Sequence, residues 1–259
     1  MNASARVAVV TGGASGIGAA CAKALAARGD RVAVVDIDLD AALRVAAQIG
    51  GAAFACDVSD ESAVRELAQR VDAEVGPATV LVNSAGIIQR PLAPEALPMA
   101  VWDRIVAVDQ RGTYLSCIAF GGAMARRGAG SIVNIASIVA LRSAPLHSYA
   151  PAKAAVVAIT ECLAAEWGRS GVRVNAVSPG YTLTPALQAA IDAGERDPRA
   201  LAENTAMGRM VRDSDVANAV AFLTSSEAQA ITGVNLPVDA GWLVATSWAT
   251  YGGVRAARA

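Results

Sequence analysis

A chain of 259 residues, 54% of them hydrophobic, has ample material for a buried core, which argues against disorder. Its 22 basic and 23 acidic side chains leave a formal net charge of -1, so composition offers no basic footprint for nucleic acid or an anionic membrane. Weakly charged windows such as 128–141 are broken by Ser131, Asn134 and Ser137, short of the ~20 apolar residues a membrane span needs.

The start, MNASARVAVV, lacks the basic segment, apolar core and cleavage site of a secretory signal, so a cytoplasmic protein is expected. Short apolar runs recur along the chain at 7–10, 32–35, 52–55, 80–82, 131–135, 172–177 and 234–238. They are continuous rather than alternating, which implies strands buried on both faces. Between them lie alanine-, leucine- and charge-rich stretches of helical length at 17–28, 39–49 and 61–75. Strand and helix alternating in this way predict an α/β fold: a Rossmann-type, doubly wound parallel sheet of about seven strands with helices on both faces. No linker or composition shift divides residues 1–259, so one catalytic domain is expected, and the proline- and charge-bearing stretch 181–212 reads as an irregular substrate loop.

The first strand runs into TGGASGIG, in which Gly12, Ser15, Gly16, Ile17 and Gly18 open the first helix. Glycine permits a tight turn and close approach of backbone to phosphate, and the helix N-terminus offers free N–H groups and a positive dipole end. Placed after a strand and before a helix, the motif predicts dinucleotide binding. Asp36 closes the second apolar run, where a carboxylate accepts hydrogen bonds from ribose hydroxyls and repels a 2'-phosphate, so the expected cofactor is NAD rather than NADP. Asp57 and Val58 follow the third run, and Asn83, Ala85 and Gly86 the fourth, at carboxyl ends of strands where open sheets bind ligands.

Tyr149 and Lys153 stand four apart and share one helix face. A tyrosine of pKa ~10 is a poor base, but a neighbouring ammonium stabilises its phenolate. Pro151 is tolerated if the helix begins near Tyr149, because first-turn N–H groups have no intrahelical partner. The four cysteines, Cys21, Cys56, Cys117 and Cys162, are far apart and without metal-ligand spacing; buried reduced thiols and no metal are expected.

TGGASGIG, the Asp57-Val58 pair, NSAG at 83–86, Ser137, YAPAK at 149–153 and SPG at 178–180, in this order and spacing, resemble the short-chain dehydrogenase/reductase family over nearly the whole chain. The resemblance implies a nicotinamide-dependent oxidoreductase. Tyr149 would be the general acid/base, Ser137 would bond the substrate oxygen, and Lys153 would hold the nicotinamide ribose and lower the tyrosine pKa. Pro179, Gly180 and Thr182, with Thr184 as the other candidate hydroxyl, would contact the nicotinamide. One position departs from the family, which usually has asparagine where Asp109 stands; the aspartate either sustains a relay to Lys153 or caps a bend in a long helix over 101–124.

His147, Gln89 and Arg90 are candidates for the substrate pocket. The outer faces of the helices over 99–124 and 152–167 are apolar enough to suggest subunit contacts, and the family relation implies a homotetramer. Trp242, Trp248 and Tyr251 in the tail suit core packing or an interface equally. The expected activity is oxidation of a secondary alcohol such as a polyol or sugar. The alternatives are a 3-oxoacyl-thioester reductase and a catalytically idle NAD sensor.

Overall fold

Runs of valine and alanine form the strands, and all central ones are hydrophobic on both faces. The computed structural model describes residues 5–255. In chain order it contains β1 (Val7–Thr11), α1 (Gly16–Ala27), β2 (Arg31–Asp36), α2 (Leu39–Ile49), β3 (Ala52–Ala55), α3 (Glu61–Glu74), β4 (Ala78–Asn83), α4 (Met99–Ile105), α5 (Thr113–Arg127), β5 (Gly130–Ile135), α6 (Tyr149–Trp167) and β6 (Val172–Pro179). The chain continues with β7 (Thr182–Leu183), α7 (Pro185–Asp192), α8 (Pro198–Glu203), β8 (Val211–Arg212), α9 (Asp213–Leu223), β9 (Asn235–Val238) and α10 (Trp242–Ala245).

Seven strands pair in parallel in the order β3-β2-β1-β4-β5-β6-β9. Their side chains alternate between two cores. Val7, Val9, Ala33 and Val35 face α3, α5 and α6, where Val64, Leu67, Phe120, Met124 and Leu163 are buried. Ala8, Val10, Val32 and Val34 face α1, α2 and α9, with Leu25, Val45, Val216 and Val220. Burying each such Val or Leu contributes about 1.5–3 kcal/mol. The strand order reverses between β1 and β4, which opens a crevice at their carboxyl ends. Among the described residues no helix is long and apolar enough to cross a membrane.

Three local expectations are revised. The helix expected over 101–124 is two helices joined by a π-helical stretch, Val106–Gly112, in which the wider turn relieves the ladder and Thr113 Oγ1 donates to the Asp109 carbonyl (2.7 Å). The stretch 181–212 is more regular than its composition suggests. Thr184 and Asp197 cap α7 and α8, Pro185 and Pro198 sit in their first turns, and β7 pairs in parallel with β8. Cys162 is exposed, whereas Cys21, Cys56 and Cys117 are buried; position 162 falls on the outer face of α6. Burial pushes the Cys21 and Cys117 thiols up to about 12, so they remain unreactive near neutrality.

At the end of β9 the chain turns sharply through Ala240, a non-glycine residue at φ 51. The Asp239 carboxylate holds the turn by accepting from the Gly241 and Leu243 N–H groups (2.9 and 2.8 Å). The left-handed conformation costs alanine about 1–2 kcal/mol, part of which glycine returns through its freer unfolded chain. Ala240→Gly is therefore expected to stabilise the protein by about 0.5–1 kcal/mol, measured by urea unfolding.

Candidate active site

The glycine loop is built by close contact. At Gly12, with φ 62, an added Cβ would lie 2.7 Å from Ala85 Cα, and at Gly18 it would overlap the Gly12 carbonyl. Only glycine lets the loop after β1 lie this close to the one after β4. Ser15 precedes α1 without a side-chain cap, and no acidic residue occupies the first turn, leaving Ile17 and its neighbours at an anion-attracting helix end. Asp36, at the end of β2, reaches the same loop, where its carboxylate accepts from the Ala14 N–H (3.1 Å) and the Asp38 N–H (3.2 Å). These features fit the pyrophosphate and ribose of a dinucleotide.

Other expected cofactor residues divide between cleft and core. Asp57 accepts from the Ser59 N–H (2.9 Å) and pairs with Arg104 (3.1 Å). Burial opposes its ionisation, but Ser59 and Arg104 outweigh that and hold its carboxyl below the usual range. Val58 is buried against Gly112, in the apolar core. The Asn83 side chain also turns inward: its Nδ2 donates to Asn134 Oδ1 (2.8 Å), and Asn134 Nδ2 donates to Thr160 Oγ1 (2.9 Å), which ties β4, β5 and α6 together. Asn83 Oδ1 is buried and has no hydrogen-bond partner among the described residues.

The chemical groups meet where α6 begins. Helix α6 starts at Tyr149, so Pro151 lies in its first turn as expected. Lys153 is 4% exposed. Its Nζ donates to the Ile135 carbonyl (3.0 Å) at the end of β5, faces Asp109 Oδ2 at 3.1 Å, and lies 5.5 Å from the Tyr149 ring centre. Asp109 is fully buried in the π-helical stretch, and its Oδ1 accepts from the Ile87 N–H (2.9 Å). Gly86 makes room for this pair, since a Cβ there would sit 2.9 Å from Asp109 Oδ2 and 3.3 Å from Lys153 Nζ.

Burial alone would lower the Lys153 pKa, but the Asp109 carboxylate and the charge of the Tyr149 phenolate outweigh it and the ammonium is held above its ordinary value. The half-buried Tyr149 moves upward overall. Burial raises it most and Asp109 adds to this, while the Lys153 charge and a hydrogen bond with Ser137 pull the other way. The lysine thus acts on the tyrosine in the expected direction without dominating it. Ser137, after β5, also accepts weakly from the Val139 N–H (3.4 Å).

Around this group, Gln89 is buried and bonded to Ser148, the residue before Tyr149, whereas Arg90 is exposed and His147 half-buried. Sequence reasoning missed Ser148, for which only its adjacency to Tyr149 was a signal. Pro179 pairs with Val238, and a Cβ on Gly180 would lie 2.8 Å from Asp239 Cα. Thr182 Oγ1 donates to the Gly180 carbonyl (3.0 Å). Thr184 packs against the glycine loop, its Cγ2 3.3 Å from where a Gly16 Cβ would be. Tyr181 and Trp242 meet edge to face, with ring centres 6.1 Å apart.

A family model described as enoyl-(acyl carrier protein) reductase matches residues 12–243, over a sheet and strand-end motifs of the expected kind. The chain belongs to the short-chain dehydrogenase/reductase family. This dehydrogenase/reductase is 43% identical to D-threitol dehydrogenase of Mycolicibacterium smegmatis, over 92% of this chain and 93% of the relative. It is 40% identical to galactitol 2-dehydrogenase (L-tagatose-forming) of Cereibacter sphaeroides, over 92% and 94%. Among solved structures it is similar to one titled ribose-5-phosphate isomerase from Brucella melitensis 16M, with TM-score 0.95 and 52% identity over 97% and 98% of the chains. It is also similar to the 3-ketoacyl-(acyl-carrier-protein) reductase from Brucella melitensis complexed with NADH (TM-score 0.86, 36% identity, 92% and 98% covered). ElxO with NADP bound is a further neighbour (TM-score 0.88, 28% identity, 92% and 99% covered). The protein is accordingly a nicotinamide-dependent oxidoreductase of CH–OH groups.

Asp109 acts on both titrating neighbours in the same sense. Replacing it by asparagine removes a charge that raises Tyr149 and Lys153 alike, so both limbs of the pH–rate profile for alcohol oxidation are expected to move to lower pH in Asp109→Asn. A profile superimposable on wild type would contradict this coupling. The raised Lys153 pKa contributes stability that is complete below the ordinary lysine value of ~10.4 and is lost only as pH climbs through the folded value.

Proposed function

We propose that the protein is an NAD-dependent dehydrogenase of polyols or related secondary alcohols, with Tyr149 as general acid/base. The observation that carries this reading is the convergence of Ser137, Tyr149 and Lys153 at the carboxyl ends of the strands, in the crevice that the glycine loop borders. When bound, the nicotinamide supplies the hydride acceptor for oxidation and the hydride donor for reduction.

The chain's residues handle the proton. Ser137 and Tyr149 converge on the substrate oxygen, the Tyr149 phenolate takes the hydroxyl proton in oxidation, and the phenol returns it in reduction. The buried Lys153 ammonium stabilises the phenolate, and Asp109 and the Ile135 carbonyl hold that ammonium in place. Preference for NAD rests on Asp36, whose carboxylate, fixed over the glycine loop, accepts ribose hydroxyls and repels a 2'-phosphate. Polyols are favoured because the threitol and galactitol dehydrogenases are similar to this chain along nearly its whole length. The exposed apolar side chains Met99, Val101, Tyr114 and Ile118 on α4 and α5 support assembly into a homotetramer.

The test is NADH formation by the purified protein with threitol, galactitol and simple secondary alcohols. Tyr149→Phe is expected to lower kcat/KM by at least ~100-fold while NADH still binds. Asp36→Ala is expected to shift the NAD-to-NADP preference by about 10–100-fold toward NADP, the value of one lost charged hydrogen bond. Assays with ribose 5-phosphate that omit NAD test the reading suggested by the neighbour named ribose-5-phosphate isomerase. Activity confined to 3-oxoacyl thioesters would favour the reductase reading.

A further inference from the structure

Asp109 is 0% exposed and carries a charge that its backbone contact does not require. Its Oδ1 accepts from the Ile87 N–H (2.9 Å), a task that a neutral amide oxygen would perform as well. Its Oδ2 faces Lys153 Nζ at 3.1 Å, and Lys153 is itself buried. Among the described residues, Asp109 and Tyr149 are the groups whose charges act on this ammonium. With Tyr149 as the neutral phenol, the buried group therefore sums to zero, and a neutral side chain at position 109 would leave one net positive charge. The pair lies beside the crevice. A Cβ on Gly86 would sit 2.9 Å from Asp109 Oδ2 and 3.3 Å from Lys153 Nζ, and Ala85, one residue earlier, is the backbone against which Gly12 of the glycine loop packs. Buried charges are screened much less than exposed ones, so their sum bears on whatever occupies the crevice they border.

We propose that Asp109 sets the preference of the site between the two forms of its cofactor: by cancelling the Lys153 charge, it lets the crevice hold the cationic, oxidised nicotinamide ring more tightly, relative to the neutral reduced ring, than a neutral residue would. This assignment rests on the dehydrogenase reading and deepens it, since it gives the site a working direction. NAD competes well against NADH, so alcohol oxidation proceeds with weak inhibition by its reduced product. An aspartate needed only to brace the loop after β4 would affect both forms alike, because they share every group except the hydride and the ring charge.

The experiment measures Kd by calorimetry for NAD, NADH and ADP-ribose, which lacks the nicotinamide, at about pH 6, far below the ordinary lysine range. It compares Tyr149→Phe with the double variant Tyr149→Phe/Asp109→Asn, a background in which no phenol titrates at position 149. Loss of the carboxylate is expected to weaken NAD relative to NADH by about tenfold, the effect of one unit charge beside a partly solvated cleft. ADP-ribose should change by less than about threefold. If the Asn variant does not fold, Asp109→Ala, which removes the same charge without setting an amide donor beside the ammonium, is read for the same ratio. An unaltered NAD-to-NADH ratio, or a loss of ADP-ribose affinity as large as that of NAD, would overturn the assignment, while wild-type binding of both cofactor forms leaves the dehydrogenase reading standing. A wild-type protein that binds neither form would overturn both.

Discussion

A buried ammonium is the constraint around which this site is arranged. An uncompensated charge in a protein interior costs several kcal/mol even after relaxation, and the surroundings must return that through direct partners. Lys153 finds three kinds: the carbonyl that ends β5, a carboxylate from the π-helical stretch, and the face of Tyr149 one turn earlier on its own helix. Each imposes a condition elsewhere. The strand must end at Ile135 for its carbonyl to be free, the helix after α4 must widen for Asp109 to point inward, and position 86 must lack a side chain. The ion pair is therefore as much a specification of backbone geometry as a source of stability.

The frame that meets these conditions is itself polar in its interior. The chain of bonds from Asn83 through Asn134 to Thr160 crosses β4 and β5 and ends on α6, the helix that carries Tyr149 and Lys153. Such a network fixes the register of helix against sheet more sharply than interchangeable apolar contacts do, because a shifted helix would strand buried donors. Glycines do the complementary work at the nucleotide end. Gly12 brings the loop after β1 against Ala85, so the two loops bordering the crevice are spaced by backbone contact and not by adjustable side chains.

Much of this was legible in the sequence, and the reasons differ by level. Doubly buried parallel strands announce themselves as unbroken apolar runs, and Pro151 marked the start of α6 because its ring is compatible only with a first turn. Asp109 stood out as a departure from the asparagine that the resembled family usually has there, but the π-helical geometry that aims it has no composition signature of its own. Asn83 lies in a strand-end motif, and whether its side chain faces crevice or core depends on partners 51 and 34 positions away, Asn134 and Cys117. Gln89 is harder still, because it is buried where its isoleucine neighbours are not. The two short helices within 181–212 were concealed by the prolines and charges that, in context, begin and cap them.

That segment shows how loop and frame are coupled. It leaves the sheet at Gly180, which is pressed against Asp239, and Thr184 then packs on the glycine loop at Gly16. It returns past Met207, whose N–H donates to the Ala240 carbonyl (3.0 Å), and through β8, which pairs with β7. Tyr181 is braced by Trp242 from the helix beyond that turn. The segment is thus tied to the nucleotide loop at one end and to the turn after β9 at the other. The strained φ of Ala240 lies in the second tie, where the Asp239 carboxylate holds the turn. Because both ties run to rigid sheet ends, any movement of the covering helices α7 and α8 must be accommodated within residues 185–210, outside the groups that hold Lys153. The paired buried charges, Lys153 on α6 and Asp109 in the π-helical stretch, belong to the frame and not to this segment, so the segment can vary without disturbing them.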